Sequence, residues 1–290
     1  MRTLSRYSWL IVCCASLLAG CELFPHFGGA KNEKVEKEPL PGAPGKYNIR
    51  VSQFIFFHDV PINANLPIFK DLSNLREQVY RDLRLPPSDT LISVYLFEDK
   101  ARYEKFMHAK HPELPDRRAF FVAQARRMGG VEELMVYTYL GDRIHQDLRH
   151  ELTHAILHST LKNVPIWLDE GLAEYFEIPT VQNGFNAAHL DQLRKPAVRL
   201  DLERLERLEL VNQMTPAEYR ESWAWVHLML RTSPQAKQAL LSYLQDLRTN
   251  PNPGPLRPRL ATAFASPEGA LQSHLAELER RVPRGATAKR

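Results

Sequence analysis

Apolar residues recur along this chain in two rhythms, and the places where one gives way to the other predict its elements. Four short runs, 49–57, 91–97, 119–124 and 134–139, are rich in β-branched and aromatic residues and read as strands. After the first, Leu72, Leu75, Val79 and Leu83 fall at helical spacing within a pattern from about Leu66 to Leu83, which Pro86 and Pro87 end. Asp99 caps a second helix through about Ala109, and Gly129-Gly130 lie between the last two strand runs. A longer amphipathic stretch follows from about Asp142 to Leu161, after which Pro165 is placed to open another helix at its first turn. Beyond it the pattern is helical: Asn186 to Leu193, Thr215 to Arg231, Ser233 to Leu247 and Pro267 to Arg281, broken by the Pro- and Asn-rich run 250–255.

This order predicts an α+β fold. A small mixed-sheet lobe (47–161) ends in the 142–161 helix and precedes a mainly helical lobe (162–282), with 283–290 as a tail. The junction helix then sits where clefts form. At 290 residues the chain can bury one large core or two small ones, and 44% hydrophobic with 25% charged residues is the balance of a soluble globular protein. The net charge of +4 includes Arg2 and Arg6 of the N-terminal segment; with acids and bases interspersed elsewhere, nothing favours a nucleic-acid partner.

Residues 1–20 have the form of a secretory leader, in which Arg2 and Arg6 precede an apolar stretch from Trp9 to Leu18 that is short for a membrane span. The leader ends in Leu18-Ala19-Gly20-Cys21, which resembles a bacterial lipobox. That resemblance implies cleavage before Cys21, lipidation of its thiol and membrane anchoring through the lipid. The competing reading is an ordinary small-residue cleavage site followed by a coincidental cysteine. Glu22 stands where lipoproteins retained at the inner membrane carry aspartate, so the resemblance implies outer-membrane anchoring, facing the periplasm. Residues 22–46, rich in Lys, Glu, Pro and Gly and without apolar period, read as a flexible tether. Cys13 and Cys14 belong to the leader, so with Cys21 lipidated the folded body holds no thiol. Its metal ligands must be histidines or carboxylates.

The chemistry concentrates in His150-Glu151-Leu152-Thr153-His154. Residues four apart on a helix differ by about 40° in azimuth, so both imidazoles leave one face and can meet one ion. Glu151, at the edge of that face, is better placed to reach a water on the metal than to ligate, which is the position of a general base. A three-ligand site needs one more donor. It is supplied by Trp167-Leu168-Asp169-Glu170-Gly171-Leu172-Ala173-Glu174-Tyr175-Phe176, where Glu170 follows His154 by enough chain to finish one helix, turn and start an antiparallel one. Glu174, one turn on, either accepts a hydrogen bond from the spare nitrogen of His150 or His154 or is a solvent-exposed helix residue. Asp169 reads as a helix-start residue and His158 as an ordinary helix-end histidine.

These two segments resemble the gluzincin clan of zinc metallopeptidases, in particular the peptidase-MA-like domains of bacterial envelope proteins. The run from Tyr219 to His227 resembles the segment that follows in those domains. The resemblance implies a zincin-like fold over 47–282, one zinc per chain on His150, His154 and Glu170, Glu151 as catalytic base, and Glu174 in an acidic supporting position. The gap before Glu170 is shorter than in the aminopeptidase and thermolysin branches, so their substrate preferences do not transfer, and no amine-binding signature of the aminopeptidases is present.

A donor for the developing oxyanion is also required. Tyr219 and His227, eight residues apart on one predicted helix, are candidates; Tyr219 could instead simply pack at a helix start, and His227 could be a core histidine within the apolar run Trp223 to Leu230. The strand 134–139 is either an edge strand that pairs with an extended peptide or a buried one. The expectation is a lipid-anchored zinc peptidase acting on peptides or proteins in the bacterial envelope. The alternatives are an envelope scaffold or binding lipoprotein that keeps the fold without turnover, and a zinc hydrolase of non-peptide cell-wall amides.

Overall fold

The computed structural model describes residues 42–124, 132–195 and 198–281. The expected leader, the lipidation site Cys21, most of the tether, the Gly129-Gly130 turn and the tail lie outside the described residues. Among the described residues no helix is long and apolar enough to cross a membrane.

The fold is α+β. Strands β1 (Tyr47–Val51), β2 (Phe54–His58), β3 (Ile92–Phe97), β4 (Ala119–Gln124) and β5 (Glu133–Tyr139) form one mixed sheet in the order β1-β2-β3-β5-β4. β2, β3 and β5 run parallel, and β1 and β4 pair antiparallel at the two margins. Helix α1 (Pro67–Asp82) joins β2 to β3, and α2 (Lys100–Lys110) joins β3 to β4. The chain then continues through α3 (Ile144–His158), α4 (Ile166–Phe176), α5 (Ala187–Leu193), α6 (Leu202–Glu206), α7 (Pro216–Arg231), α8 (Pro234–Leu247), α9 (Arg257–Leu260) and α10 (Pro267–Arg281).

Alternation along the strands fixes two faces. Phe54, Phe56, Ile92, Val94, Leu134 and Val136 point to one side, into a core shared with Leu72, Leu75 and Val79 of α1 and Leu148, Leu152 and Ile156 of α3. On the other side Phe97, Tyr137 and Phe120 meet Tyr103, Phe106 and Met107 of α2. Asp99 is the cap the sequence predicts, and three of the expected helical stretches also begin on capping residues. The side chains of Asp99, Asn186, Thr215 and Ser233 accept from the first turns of α2, α5, α7 and α8, and Glu218 reaches back to the Thr215 amide at 2.9 Å.

Two expectations change. The run 49–57 is two strands, because Ser52 adopts φ 56° and reverses the chain into the β1–β2 hairpin without a glycine to announce it. The strand 134–139, for which edge and buried positions were both open, is β5 and lies inside the sheet between β3 and β4, so β4 forms that margin. Pro165 also sits one residue before α4, at φ −56° and ψ 136°, as its N-cap.

Candidate metal centre

Helix α3 lies between the sheet, α1 and α4, and every residue from Asp147 to Leu157 is buried. Its Leu148, Leu152 and Ile156 enter the core, which leaves His150 and His154 for the side facing α4. α4 is buried all round from Trp167 to Phe176, as a central helix must be, between α3 and α7. Gly171 permits that closeness. A Cβ there would stand 2.6 Å from the Ser222 carbonyl oxygen of α7. The residue before it, Glu170, is thereby pressed against α3.

Glu170 Oε2 lies 3.5 Å from His150 Nε2 and 3.6 Å from His154 Nε2, and donor atoms of the three residues all lie within 4.8 Å of one another. Ligands bonded at about 2.0–2.1 Å in a tetrahedron stand roughly 3.3–3.4 Å apart, so this spacing fits one ion. The chemistry agrees. Both Nε2 atoms are buried and make no hydrogen bond among the described residues, which is costly for an imidazole nitrogen unless something else binds it. These three residues could hold a metal ion.

The opposite nitrogens are engaged. His150 Nδ1 donates to Glu177 Oε2 at 3.0 Å, and Gln146 Nε2 holds the other Glu177 oxygen at 2.6 Å. His154 Nδ1 stands 3.0 Å from Asp169 Oδ1, while Asp169 Oδ2 takes His158 Nε2 at 2.9 Å. Phe121 of β4 stacks along His154 and His158, with ring centroids 6.3 and 5.3 Å away. Each ring is held so that Nε2 turns inward, the usual support of a metal-binding histidine.

Electrostatics follow from total burial. Burial pushes the Glu151 carboxyl up to about 7 against the pull of His150 and His154, and neither of its oxygens accepts a hydrogen bond among the described residues. For His154 burial works downward, but Asp169 and Glu170 outweigh it and raise the imidazole to about 10. His150 is likewise raised, burial being overcome by Glu170 and Glu177. Burial also acts against the Glu170 carboxylate, which the two imidazoles nevertheless hold below its ordinary value. The cluster thus draws positive charge inward. A divalent cation would supply it in place of two protons.

Of the expected site residues, His150, Glu151, His154 and Glu170 come together in this cluster. Tyr219 reaches it, its hydroxyl donating to Glu170 Oε1 at 3.3 Å. Glu174 makes no hydrogen bond to either motif histidine: it is buried and takes His189 Nε2 at 2.7 Å, while its carboxylate lies within 4.8 Å of donor atoms of His150 and Glu177, a second group that could hold a metal ion. His227 is also elsewhere. Eight residues past Tyr219 means about 12 Å along the axis and 80° around it, and His227 Nδ1 instead meets His274 Nε2 at 2.8 Å. Asp169 is a partner of His154 and His158 rather than a capping residue, and His158 is tied to it. Glu177, unnoticed in the sequence, is the partner of His150; its signal was a spacing of seven from Glu170, two turns along one face.

The sequence matches no protein-family model and no curated protein.

Proposed function

We propose that this protein is a zinc-dependent peptidase of the gluzincin type, with a zincin-like fold, anchored in the bacterial envelope through lipid on Cys21. The observation that carries the reading is the buried triad in which Glu170 Oε2 stands 3.5–3.6 Å from two Nε2 atoms that make no hydrogen bond among the described residues. His150, His154 and Glu170 hold the zinc, and the N/N/O donor set with no thiol suits that metal. Zinc, when bound, supplies Lewis acidity that polarises a substrate carbonyl and acidifies water.

The chain's own groups do the rest. Glu151, beside the ligands and lifted to about 7 by burial, takes a proton from water on a carboxylate oxygen and returns it to the departing amine. Glu177 and Asp169 keep the ligand rings oriented. Tyr219 holds the second oxygen of Glu170, so its role is to fix that ligand. β4, the marginal strand whose Phe121 stacks on His154, offers its outer edge to an extended peptide lying beside the site.

One observation favours the catalytically silent scaffold: His150, Glu151, His154 and Glu170 are each at most 1% exposed, so a substrate carbonyl would meet these residues only if covering segments moved. Metal analysis of the purified full chain beside Glu170→Ala and Glu151→Gln, followed by a peptide-library assay, decides the matter. About one zinc per chain, lost in Glu170→Ala and kept in Glu151→Gln, with cleavage lost in both, is the expected result. A zinc-loaded parent that cleaves nothing selects the scaffold; a parent that takes up no zinc removes the metal reading altogether.

A further inference from the structure

A cavity of about 740 Å³ opens in the helical lobe, walled by α5, α7 and α10 and lined by Gln182, Phe185, His227, Arg231, His274 and Leu278. Its size is that of a small-ligand site. His227 and His274 are only 3% and 7% exposed, yet their hydrogen bonding closes on each other through one contact, Nδ1 to Nε2 at 2.8 Å. In that pair one nitrogen donates and the other accepts. Whichever tautomer holds, the two remaining ring nitrogens are then one acceptor and one donor, and neither bonds to a described residue. Burial pushes His227 down to about 3 and His274 to about 4, so the pair is neutral at pH 7 and offers hydrogen bonds rather than charge.

Charge comes from Arg231. Its Nε donates to the Tyr175 hydroxyl at 2.6 Å, which fixes the guanidinium over the Tyr175 ring, and its two terminal nitrogens have no acceptor among the described residues. Arg231 is exposed, and its fork, anchored at Nε on the cavity wall, presents solvated terminal N–H groups that a carboxylate can take. Glu277, the one acid among the described lining residues, is paired with Arg281 and does not compete for it. Phe185 and Leu278 add apolar wall.

We propose that this cavity binds the carboxy-terminal end of a peptide, its carboxylate on Arg231 and its last amide group against the His227–His274 pair. A carboxylate alone would leave the imidazole donor and acceptor unmatched, whereas a peptide bond offers one of each. The site is separate from the metal centre and its test involves no turnover.

Calorimetric titration of the full chain with acetyl-Ala-Ala-Ala and acetyl-Ala-Ala-Leu, each as free acid and as C-terminal amide, tests the assignment, with peptide integrity checked by mass afterwards. The acids are expected to bind with Kd of about 1 mM or tighter and the amides roughly 10-fold or more weaker. Arg231→Gln should remove that difference, and His274→Gln should weaken acids and amides alike. If Arg231→Gln fails to fold, Arg231→Lys, which keeps charge without the fork, should cost the acids several-fold and spare the amides. The proposal is overturned if no acid binds at about 10 mM, if acids and amides bind equally, if the Arg231 variants bind as the parent does, or if acetate matches the tripeptides, which would make the occupant a small organic acid.

Discussion

Glu177→Gln and Asp169→Asn should loosen the bound metal more than Glu174→Gln does, although Glu174 is the residue the sequence nominates for support. All three carboxylates are buried near the cluster, and each substitution removes one negative charge with little change of shape. The loss of electrostatic attraction without a lost hydrogen bond is what Glu174→Gln measures, because Glu174 lies within 4.8 Å of a His150 nitrogen yet bonds to His189 and to neither motif histidine. Glu177 and Asp169 lose something more. Glu177 takes a hydrogen bond at 3.0 Å from the Nδ1 of His150, worth about 1.5–3 kcal/mol to a charged acceptor against roughly 0.5–1.5 to a neutral one, and Asp169 stands at ion-pair distance, 3.0 Å, from the Nδ1 of His154, where losing the buried partner costs no less. The difference, about 1–1.5 kcal/mol, corresponds to a roughly 5- to 13-fold rise in zinc Kd beyond that of Glu174→Gln. Truncation to alanine, which also frees the ring, should reach about 10- to 100-fold. Competition against a chromogenic chelator at one pH and ionic strength reads these ratios directly, with thermal melts of the metal-free chains to confirm folding. Should Glu174→Gln lose as much affinity as the other two, the geometry of the supporting carboxylates would be refuted.

Other consequences are as specific. Glu151→Gln should keep its metal while peptide hydrolysis falls by about 10²- to 10⁴-fold, and a variant that cleaves at near-parental rate would remove Glu151 as the base. Gly171→Ala forces a Cβ to 2.6 Å from the Ser222 backbone; overpacking of about 1–3 kcal/mol should exceed the gain of up to about 1 kcal/mol in helix propensity, so urea denaturation should find the variant less stable. His227 and His274 titrate at about 3 and 4 when folded and near 6.5 when unfolded, so the unfolded chain binds more protons and stability falls as pH drops below 6.5. Between pH 6.5 and 5 each costs roughly 1.6 kcal/mol, so His274→Gln should lose about that much less than the parent, and an unchanged slope would show that the pair is not held neutral. Zinc at a hundred times its Kd should stabilise the parent by about 2.7 kcal/mol, reversibly with chelator, and leave Glu170→Ala unmoved.

Much of the fold was legible because its elements are local. The stripe Leu72, Leu75, Val79 set α1, and Asp99, Asn186, Thr215 and Ser233 marked helix starts that the structure keeps. Pairing is not local. Nothing in the periodicity says that β5 inserts between β3 and β4, although the near-continuous apolar run from Leu134 to Tyr139 is what a strand covered on both faces should look like. Ser52 shows the other limit. It takes a left-handed conformation that glycine or asparagine would have advertised, so the hairpin it makes was hidden within one apolar run.

The site divides along the same line, and helical rotation explains how. Ligand geometry was legible because four residues advance about 40° around an axis, which aligns His150 with His154 whatever the helix packs against. Support geometry depends on how α4 is turned toward α3. Measured from Glu170, Glu174 lies about 40° to one side and Glu177 about 20° to the other, while Asp169 lies about 100° away. Spacing of four therefore made Glu174 look like the natural neighbour, yet the seventh residue on returns closer to the ligand's own azimuth. α7 settles the rotation by packing against Gly171, where only a bare backbone fits. With α4 so turned, Glu177 arrives at His150, Asp169 reaches the far row at His154 and His158, and Glu174 is left to His189. A residue larger than glycine at 171 would have to push α4 away from α7 or rotate it, and either movement carries Glu170 with it. The glycine beside Glu170 is thus part of the candidate metal centre, although it has no side chain to offer it.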